Sequence, residues 1–562
     1  MKKKPLNNTE PYHCCLPVSA KEIKTLEWDH PDVILFSGDA YIDHPSFGTA
    51  LIGRYLESLG LKVAIVPQPN WRDDLRDFKK LGTPRLFFGV TSGNMDSMMN
   101  HYTANRRLRS DDAYTAGGKA GFRPDYAVSV YSKILKKIYP DIPVVIGGIE
   151  ASLRRLTHYD YWKNQLLPSI LQWSDADLLV YGSGEQPLKE LVRLLQKGVP
   201  FGQLKNIAQT AYILNVTDII PPFKNCKTVE LASHKECLND KRKFVECFKQ
   251  IEEESNKWET ARLIQKCENK QIVVNPPYLP MTTKELDAVY DLPFTRLPHP
   301  KYKSKGTIPA FEMIKNSVTI HRGCFGGCAF CTISAHQGKF ISSRSKSSII
   351  KEIKQITEME DFKGYISDLG GPSANMYGMT GKNLELCKKC CRPSCIFPKI
   401  CKNLNTSHQA LLDIYREVDK IEGIRKSFIG SGIRYDLFMN ENVTDDEKKV
   451  NYEYVKELIT NHVSGRLKVA PEHVSENVLK IMRKPSFYLF RKFNKLFEKI
   501  NYENGLTQQL IPYFISGHPG CTPKDNAEFI SETKKLGFKP EQAQDFTPTP
   551  MTLATAYYFL NI

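Results

Sequence analysis

The sequence predicts an α/β protein in which an N-terminal doubly wound parallel sheet is followed by a partial (β/α)6 barrel of the TIM type. Three observations lead to this prediction. Apolar runs alternate with helical patterns in residues 1–205, this period blurs in residues 206–305, and the alternation returns in residues 306–562. We therefore expect an α/β N-terminal domain, a connector and a second α/β core, since 562 residues exceed what one core usually organises.

The first domain carries five strand-like runs separated by helical patterns. The runs lie near residues 32–36, 62–66, 85–89, 143–146 and 178–181. Strands that alternate with helices form parallel sheets, and such sheets bind ligands beyond the carboxyl ends of their strands. The loops at these ends, residues 38–48, 147–150 and 182–185, all contain glycine.

The second core carries six strand-like runs, again with helical patterns between them. The runs lie near residues 317–322, 364–369, 425–430, 465–470, 508–515 and 540–546. Six such repeats predict a partial barrel, and barrels place their chemistry on the loops that follow the strands. The loop after the first strand is therefore the first place to look for a site.

That loop holds three thiols, those of Cys324, Cys328 and Cys331, in a glycine-rich stretch. Thiolates are the usual ligands of iron–sulfur clusters, and three of them leave one iron of a cubane without a protein ligand. The spacing also fits a zinc knuckle of Cys328 and Cys331, completed by Cys324, His321 or His336. The agreement between the motif and the strand end favours the iron–sulfur interpretation.

The spacing of these cysteines, with Phe330 directly before the third, resembles the signature of the radical S-adenosylmethionine (SAM) superfamily. The resemblance implies a [4Fe-4S] cluster whose open iron binds SAM, and a one-electron reductant of flavodoxin or ferredoxin type. Reductive cleavage of SAM would give a 5′-deoxyadenosyl radical that abstracts hydrogen from a substrate. The resemblance further implies that Phe330, Gly370 and Gly371 contact SAM, and Arg434 is expected to pair with its carboxylate.

Several runs together resemble one group of that superfamily, the YgiQ-type proteins, over nearly the whole chain. The runs are residues 43–48, 368–377, 470–473, 518–521 and 544–550. Relatives commonly carry a further carboxy-terminal extension, whereas this chain stops in the apolar run 554–560, so a truncated reading frame is one interpretation.

The N-terminal region resembles the cobalamin-binding-type domain found in many relatives. Their cobalt-ligating pattern is Asp-x-His-x-x-Gly, but here Asp43 and His44 are adjacent and Gly48 follows four residues later. This departure makes cobalamin doubtful. We interpret His44 as a structural hydrogen-bonding residue or a substrate contact.

A second group of thiols lies in an insertion at about residues 375–404. Its members are Cys387, Cys390, Cys391, Cys395 and Cys401. Three interpretations remain open: a structural zinc site on four of them, an auxiliary iron–sulfur cluster, and redox-active thiols without a metal.

The charge and composition of the chain limit its partners and its cellular location. The formal charge is +16 and the pI about 9.0, which permits an RNA partner, but the basic residues are spread along the chain. The start, Met1–Asn8, lacks the apolar segment of a signal peptide, and no run reaches the length of a membrane span. With fifteen cysteines, the chain is expected to work in the reducing cytoplasm, without a membrane partner.

The sequence thus predicts a radical SAM iron–sulfur enzyme whose substrate is open. Two alternatives are kept: a radical SAM enzyme that transfers methyl or methylthio groups to RNA, and a zinc-stabilised RNA-binding protein. Cys521, near the fifth strand end, is a candidate hydrogen donor, although an inert thiol is the simpler interpretation.

Overall fold

The computed structural model describes residues 15–537 and 543–561. The amino terminus, Met1–Asn8, and residues 538–542 before the sixth strand lie outside these ranges. The first half is built on a nine-stranded sheet with the order β2-β1-β3-β4-β7-β8-β11-β10-β9, and β5 and β6 form a separate hairpin. The strands are β1 (Val33–Ser37), β2 (Val63–Pro67), β3 (Phe87–Thr91), β4 (Val144–Ile146), β5 (His158–Asp160), β6 (Gln165–Leu167), β7 (Leu178–Val180), β8 (Thr210–Asn215), β9 (Thr228–Leu231), β10 (Arg262–Cys267) and β11 (Lys270–Val274).

The five strands predicted from the apolar runs form a continuous parallel block at one end of this sheet. β1 pairs with β2 and β3, β3 pairs with β4, and β4 pairs with β7, all in parallel. Alternate residues of β1 pack on opposite faces: Ile34 and Phe36 join one apolar cluster, while Val33 and Leu35 join another. Both faces are covered, which explains why the strand is apolar throughout.

Residues 206–305, expected to be a connector, contain four strands of the same sheet, β8 to β11. β8 pairs antiparallel with β7 and with β11, and β10 pairs antiparallel with β11 and parallel with β9. The partners lie far apart in sequence; Asn215, for example, pairs with Lys270. Short-range periodicity does not report such pairing, which is why the segment looked irregular.

Twelve helices accompany these strands among the described residues. They are α1 (Ala20–Thr25), α2 (Gly48–Ser58), α3 (Arg76–Lys79), α4 (Ser97–His101), α5 (Ala127–Ile138), α6 (Gly148–Leu153), α7 (Ile170–Ser174), α8 (Glu185–Gln196), α9 (His234–Asn239), α10 (Lys241–Ser255), α11 (Thr283–Tyr290) and α12 (Pro309–Ile314). α2 and α8 pack against each other on the face that holds Val33 and Leu35.

The second half contains short parallel strand pairs in chain order. β12 pairs with β16, β15 with β17, and β18 with β19 and then β20. An isolated parallel bridge between Ile433 and Val469 links the third run to the fourth. The strands are β12 (Ser317–Thr319), β13 (His321–Arg322), β14 (Ser342–Ser343), β15 (Tyr365–Ile366), β16 (Asp368–Gly370), β17 (Lys426–Ser427), β18 (Arg466–Glu472), β19 (Gln509–Ser516) and β20 (Ala543–Asp545).

Helices separate these strands at the predicted places and supply much of the second core. Ile349, Ile353 and Ile356 of one helix and Phe490 and Phe493 of another are completely buried. The helices are α13 (Ile333–Gln337), α14 (Lys346–Thr357), α15 (Leu384–Lys388), α16 (Gln409–Val418), α17 (Tyr435–Phe438), α18 (Asp445–Asn461), α19 (Glu476–Met482), α20 (Phe487–Glu503), α21 (Pro523–Lys535) and α22 (Leu553–Leu560).

In the part of the chain that the structure describes, the helices are too short or too polar to cross a bilayer.

Candidate metal and ligand site

The cysteine loop, residues 323–331, begins directly after β13 and turns at two glycines. Gly323 has φ 88° and Gly327 has φ 61°, in the left-handed region that glycine adopts without a steric cost. A Cβ on Gly323 would lie 2.2 Å from the Phe340 carbonyl oxygen, and one on Gly327 would lie 2.4 Å from the Pro393 carbonyl oxygen. Since both neighbours are backbone atoms, the loop follows this path only with glycine at these positions.

Gly326 lies between two of the three thiols. A Cβ there would be 3.2 Å from the Cys324 sulfur, 3.8 Å from the Cys328 sulfur and 3.3 Å from Nη1 of Arg434. The Gly326 amide is 3.4 Å from the Cys324 sulfur and directed at it. The missing side chain therefore leaves space beside the sulfurs, and an amide directed at sulfur favours the thiolate form.

The thiols of this loop influence one another. Burial and the neighbouring Cys328 raise the pKa of Cys324 to about 11. Burial, together with Cys328 and Cys324, raises the pKa of Cys331 further. Ionising Cys324 and Cys331 without a metal is thus unfavourable. An iron–sulfur cluster, which replaces the three protons with metal charge, fits this donor set.

Arg434 supplies a buried positive charge beside the thiols. Its Nη1 lies 3.4 Å from the Cys328 sulfur, while its Nε and Nη2 donate to the Asp436 carboxylate over 2.9 and 2.5 Å. Burial alone would lower the pKa of Arg434, but Asp436 and the thiols hold it well above its ordinary value. The guanidinium of Arg434, expected to hold the SAM carboxylate, is therefore hydrogen-bonded to Asp436, and its Nη1 is directed at the Cys328 sulfur.

The loop is fixed from the carboxyl-terminal side of the chain. The Ala329 amide donates to the Met482 carbonyl over 3.0 Å, and the Ala329 carbonyl accepts from the Ala554 amide of α22 over 2.9 Å. Phe330 packs against both large apolar clusters, and its ring makes an edge contact with His518 at 6.1 Å between centroids. Phe330 therefore lies where the two halves of the chain meet.

Gly370 and Gly371 lie at the end of β16, where space is limited. A Cβ on Gly370 would lie 2.4 Å from the Ser431 hydroxyl oxygen, and one on Gly371 would lie 2.4 Å from Cε1 of His321. Both contacts exclude a side chain, so these glycines allow neighbouring groups to approach the backbone.

Asp368 connects the ends of the second and third strand runs. Its carboxylate accepts hydrogen bonds from the Gly430 amide over 2.8 Å, from the Ser431 amide over 3.1 Å and from the Ser431 hydroxyl. Burial raises the pKa of Asp368 despite these bonds. The loop 430–434 is thereby held against β16.

A cavity of about 640 Å³ lies between the carboxyl edge of the nine-stranded sheet and the first strands of the second half. Its lining includes Thr332, the residue after Cys331, but none of the three thiols of the cysteine loop. The loops that were predicted to bind ligands in each half of the chain thus line one shared cavity. Its lining includes Gly48, Gly147 and Gly182 from the sheet, and Thr319, Gly370, Gly371 and Ser431 from the second half.

Two polar features line this cavity. His321 is buried and, among the described residues, neither of its ring nitrogens has a hydrogen-bond partner. Burial lowers the pKa of His321 to about 4, so the ring is neutral at pH 7. One ring nitrogen is then free to accept a hydrogen bond from a ligand and the other is free to donate one. Beside it, Nη1 of Arg322 donates to the Glu185 carboxylate over 2.6 Å, which joins the two halves by a buried ion pair.

His44 and Cys521 lie outside the residues that line the cavity. Nδ1 of the buried His44 accepts from the Ser46 amide over 3.0 Å, which gives the ring a structural role. The Cys521 sulfur lies 3.3 Å from the Asn526 amide oxygen. The geometry gives no support to a cobalt ligand at His44 or to a hydrogen donor at Cys521.

Four of the five insertion thiols form a group. Burial raises the pKa of Cys395 to about 11, and although Lys339 opposes this rise, the neighbouring Cys401, Cys390 and Cys387 add to it. Cys391, in contrast, is exposed at the surface. The insertion thus presents a four-thiol group with a fifth thiol outside it.

The thiols of neither group are gathered as they would be around one zinc ion. Zinc–sulfur bonds of about 2.3 Å in a tetrahedron put the sulfurs about 3.8 Å apart. Among the described residues, the only three cysteine, histidine or acidic side chains with all ligand atoms within 4.8 Å of one another are Asp419, Glu457 and His462. The zinc knuckle with His321 or His336 is therefore not favoured.

Sequence reasoning assigned no role to three residues that shape the site. Asn375 accepts from the Arg434 amide over 2.7 Å and donates to the Arg434 carbonyl over 2.9 Å. Asp436 holds the Arg434 side chain, as described above. Glu472, paired with Lys484 at 3.5 Å, adopts φ 69° at the end of β18. Non-glycine residues with such strained backbone angles cluster at functional sites, but no sequence pattern predicts these angles.

Comparison with known proteins connects this geometry to a family. A family model described as radical SAM N-terminal matches residues 15–317, which span the nine-stranded sheet. The UPF0313 protein of Bacteroides thetaiotaomicron is 61% identical over 555 residues, covering 97% of this chain and 89% of that protein. The UPF0313 protein of Methanocella arvoryzae is 48% identical over 539 residues, covering 96% of this chain and 87% of that protein.

Two solved structures are similar in fold. The radical SAM methyltransferase TsrM from Kitasatospora setae, with cobalamin and a [4Fe-4S] cluster bound, has a TM-score of 0.50 at 15% identity, covering 93% of this chain and 73% of that one. The cobalamin-dependent SAM radical enzyme OxsB, with aqua-cobalamin bound, has a TM-score of 0.50 at 12% identity, covering 96% and 56%. On the strength of the relatives and of the family match, the chain belongs to the UPF0313, or YgiQ-type, family of radical SAM proteins.

Proposed function

We propose that the chain is a radical SAM enzyme that holds a [4Fe-4S] cluster on Cys324, Cys328 and Cys331 and starts radical chemistry on a small molecule. The observation that carries the proposal is the space at Gly326, where a Cβ would meet the sulfurs of Cys324 and Cys328. Three thiolates leave one iron of a cubane without a protein ligand. Family membership adds that this open position takes SAM.

The surrounding residues have distinct roles in this proposal. Nη1 of Arg434 offsets negative charge at the thiols, since it lies 3.4 Å from the Cys328 sulfur. Gly370 and Gly371 allow the Ser431 hydroxyl and the His321 ring to pack against the end of β16, and both glycines line the cavity in which we propose that SAM binds. Phe330 closes the site on the side where the two halves meet.

When bound, the cluster and SAM together supply a one-electron cleavage of a carbon–sulfur bond and a radical that abstracts hydrogen. The electron comes from a reductant of flavodoxin or ferredoxin type, and we place the reaction in the cytoplasm. We further propose that residues 306–562 form the radical SAM core and that its six strand runs make a partial (β/α)6 barrel.

The cavity favours a small molecule over RNA as the substrate. Its volume of about 640 Å³ falls within the range of about 300–1,000 Å³ that is usual for small-molecule sites. It is covered by the sheet on one side, and His321 and the Arg322–Glu185 pair give it groups for polar recognition. Methyl or methylthio transfer to RNA would instead need the target base to enter this cavity.

Cobalamin is bound in the two similar structures, but a cobalt–histidine bond does not fit the residues here. His44 lies outside the cavity lining, and its Nδ1 already accepts from the Ser46 amide. Cobalamin therefore has no part in the reaction that we propose.

Anaerobic purification tests the proposed function. The protein is expected to bind iron and sulfide at Cys324, Cys328 and Cys331, to show visible absorbance that dithionite bleaches, and to release 5′-deoxyadenosine from SAM. The variant with all three cysteines replaced by alanine should lose about four irons per chain and all SAM cleavage. If that variant keeps its full iron and sulfide, or still cleaves SAM, the proposal is wrong.

Cys226→Ala is a matched control, because this thiol lies in the first half and outside both thiol groups. It should leave iron content and SAM cleavage unchanged. A protein that binds zinc instead of iron and retains RNA would support the zinc-stabilised RNA-binding alternative.

A further inference from the structure

The insertion carries its own four-thiol group directly beside the cysteine loop. We propose that Cys387, Cys390, Cys395 and Cys401 hold a second iron–sulfur cluster, which passes electrons from an acidic one-electron carrier to the cluster of the cysteine loop. This inference rests on the proposed function of that loop. It assigns to the insertion both a metal site and a docking face.

Direct hydrogen bonds join the insertion to the cysteine loop. The Cys395 amide donates to the Phe325 carbonyl over 3.1 Å, and the Ser394 hydroxyl donates to the Gly326 carbonyl over 2.7 Å. Phe325 follows Cys324 in sequence, so a ligand of the first cluster and a ligand of the second are joined through one hydrogen bond and a few covalent bonds. Cys324, Cys395 and Cys401 also pack against the same small apolar cluster.

The local backbone pairs the four thiols. The Cys390 amide donates to the Cys387 carbonyl over 3.1 Å, and the Cys401 amide donates to the Cys395 carbonyl over 2.7 Å. These bonds bring together the backbones of residues three and six positions apart, so the four cysteines stand in two locally fixed pairs. The Cys387 sulfur also accepts from the Asn403 side-chain amide over 3.3 Å. Hydrogen bonds to sulfur of this kind tune iron–sulfur clusters.

The Cys387 sulfur occupies space that a glycine leaves open. A Cβ on Gly381 would lie 2.3 Å from that sulfur. Lys339, close enough to lower the pKa of both Cys387 and Cys395, is buried, and its ammonium donates to the Arg392 carbonyl over 2.5 Å. The site therefore has a hydrogen-bonded backbone, a space for the Cys387 sulfur and a buried cation that offsets the charge of thiolates.

The spacing of the sulfurs favours a cluster over one zinc ion. No three of these thiols have all their sulfurs within 4.8 Å of one another among the residues that the structure describes, whereas Asp419, Glu457 and His462 do gather that closely. One zinc ion needs sulfurs about 3.8 Å apart. A cubane binds each thiolate to a different iron, so its ligands lie farther apart.

The surface of the insertion is basic and partly apolar. Residues 381–404 hold one acidic residue, Glu385, and six basic residues: Lys382, Lys388, Lys389, Arg392, Lys399 and Lys402. All five lysines are exposed, and Leu384 and Leu386 of α15 are also exposed, at 51% and 58%. A carrier with an acidic face complements this charge, which steers it to the insertion.

The electron transfer is balanced and needs no reactant other than the reduced carrier. One electron leaves the reduced carrier, of flavodoxin or ferredoxin type, and reduces the second cluster. The same electron then moves to the cluster of the cysteine loop and restores the second cluster to its oxidised state. No bond forms or breaks, and no proton is required.

Iron counting tests the metal site independently of catalysis. After anaerobic reconstitution, the wild type should hold about eight irons per chain and the Cys387→Ser/Cys395→Ser variant about four, because each cubane has four. Electron paramagnetic resonance of the dithionite-reduced proteins should show two signals in the wild type and one in the variant. Cys391→Ser, which alters the exposed fifth thiol, is the matched control and should keep about eight irons.

A wild type with about four irons and one zinc, in which the double variant loses only zinc, would overturn the proposal in favour of a structural zinc site. Failure of the proposed function is distinguishable, because the Cys324, Cys328 and Cys331 alanine variant should still hold about four irons at the insertion. If that variant holds none, the second cluster is excluded.

The relay is tested by comparing two reductants. With dithionite, which reaches the first cluster directly, the double variant should form 5′-deoxyadenosine at a rate within about twofold of the wild type. With reduced flavodoxin, the rate should fall about tenfold or more. Equal rates with both reductants would overturn the relay.

Charge reversal tests the docking face. Lys389→Glu/Lys399→Glu should keep its iron but raise the KM for flavodoxin about tenfold at low salt, and the effect should shrink at high salt. An unchanged KM would overturn the docking assignment. Loss of RNA binding with unchanged electron transfer would assign the face to RNA instead.

Discussion

Nη1 of Arg434 lies 3.4 Å from the Cys328 sulfur, and the other end of the same guanidinium is bound by Asp436. The arginine thus links the Asp436 carboxylate to a thiol that we propose as a cluster ligand. Burial would raise the pKa of Asp436, but Arg434 holds it below its ordinary value. The pair keeps a positive charge in place before any cluster or SAM arrives.

Asp436→Asn is expected to destabilise the fold as well as the site. The amide leaves Arg434 buried without its carboxylate, and breaking a buried pair in this way costs about 3–5 kcal/mol. Urea unfolding of the protein without metal measures the free energy of unfolding. Asp74→Asn, which alters an exposed pair with Arg76, should cause no measurable change. A similar stability for wild type and Asp436→Asn would contradict the buried-pair interpretation.

Gly326→Ala is expected to impair cluster binding while leaving the fold intact. The three atoms nearest to the new Cβ would be two sulfurs and the flexible end of Arg434, all of them side-chain atoms. We expect cluster retention to fall roughly tenfold, the scale for losses from outer contacts of metal sites. Iron analysis and circular dichroism measure the two effects. Gly202→Ala is the control, because a Cβ there meets nothing within 4 Å. Full iron content in Gly326→Ala would show that the space is not needed.

The parallel strands and the cysteine loop were predictable because their signals are local. The runs at 32–36 and 62–66, for example, became β1 and β2 with bounds shifted by one residue. Buried parallel strands are apolar throughout, so short windows of sequence reveal them. The loop was found for the same reason, since its three thiols lie within eight residues.

Features that depend on distant pairing were not predictable. β8 and β11 pair although Asn215 and Lys270 lie 55 positions apart. Cys237 and Cys247, in the segment expected to be a connector, have sulfurs 3.8 Å apart because α9 and α10 pack together. Arg434 shows a different limit: Asp436 is only two positions away, but the sequence does not tell whether the guanidinium pairs with this neighbouring carboxylate or with a ligand.

Asn375→Ala is expected to loosen the loop that carries Arg434. The Asn375 side chain bonds both the amide and the carbonyl of Arg434, and leaving a buried backbone group unpaired costs about 1–3 kcal/mol. For the two groups together we expect a loss of about 2–6 kcal/mol in the free energy of unfolding, together with weaker SAM binding. Urea unfolding and equilibrium dialysis measure these quantities. Asn442→Ala, at an exposed position, should change stability by less than about 0.5 kcal/mol. Equal losses in the two variants would contradict the role of Asn375.

His408 should make stability fall as the pH drops below about 6.5. Burial lowers the pKa of His408 to about 4, although the hydrogen bond between Nδ1 and Asn451 opposes this shift. Nε2 accepts from Asn375, so a second ring proton would face the Asn375 amide. The unfolded chain takes up that proton near pH 6.5, whereas the folded chain resists it until about pH 4. The stability present above pH 6.5 is therefore lost progressively towards pH 4, by up to about 3 kcal/mol for this residue.

His408→Gln tests this pH dependence, since glutamine keeps polar contacts but does not titrate. Urea unfolding at several pH values between 7 and 4 should give a shallower decline for the variant than for the wild type, and the difference should approach about 3 kcal/mol at the acid end. His30→Gln removes an exposed histidine and should reproduce the wild-type slope. Parallel curves for His408→Gln and the wild type would mean that the folded protein accepts the proton at His408. Burial between Asn451 and Asn375 would then not keep the ring neutral.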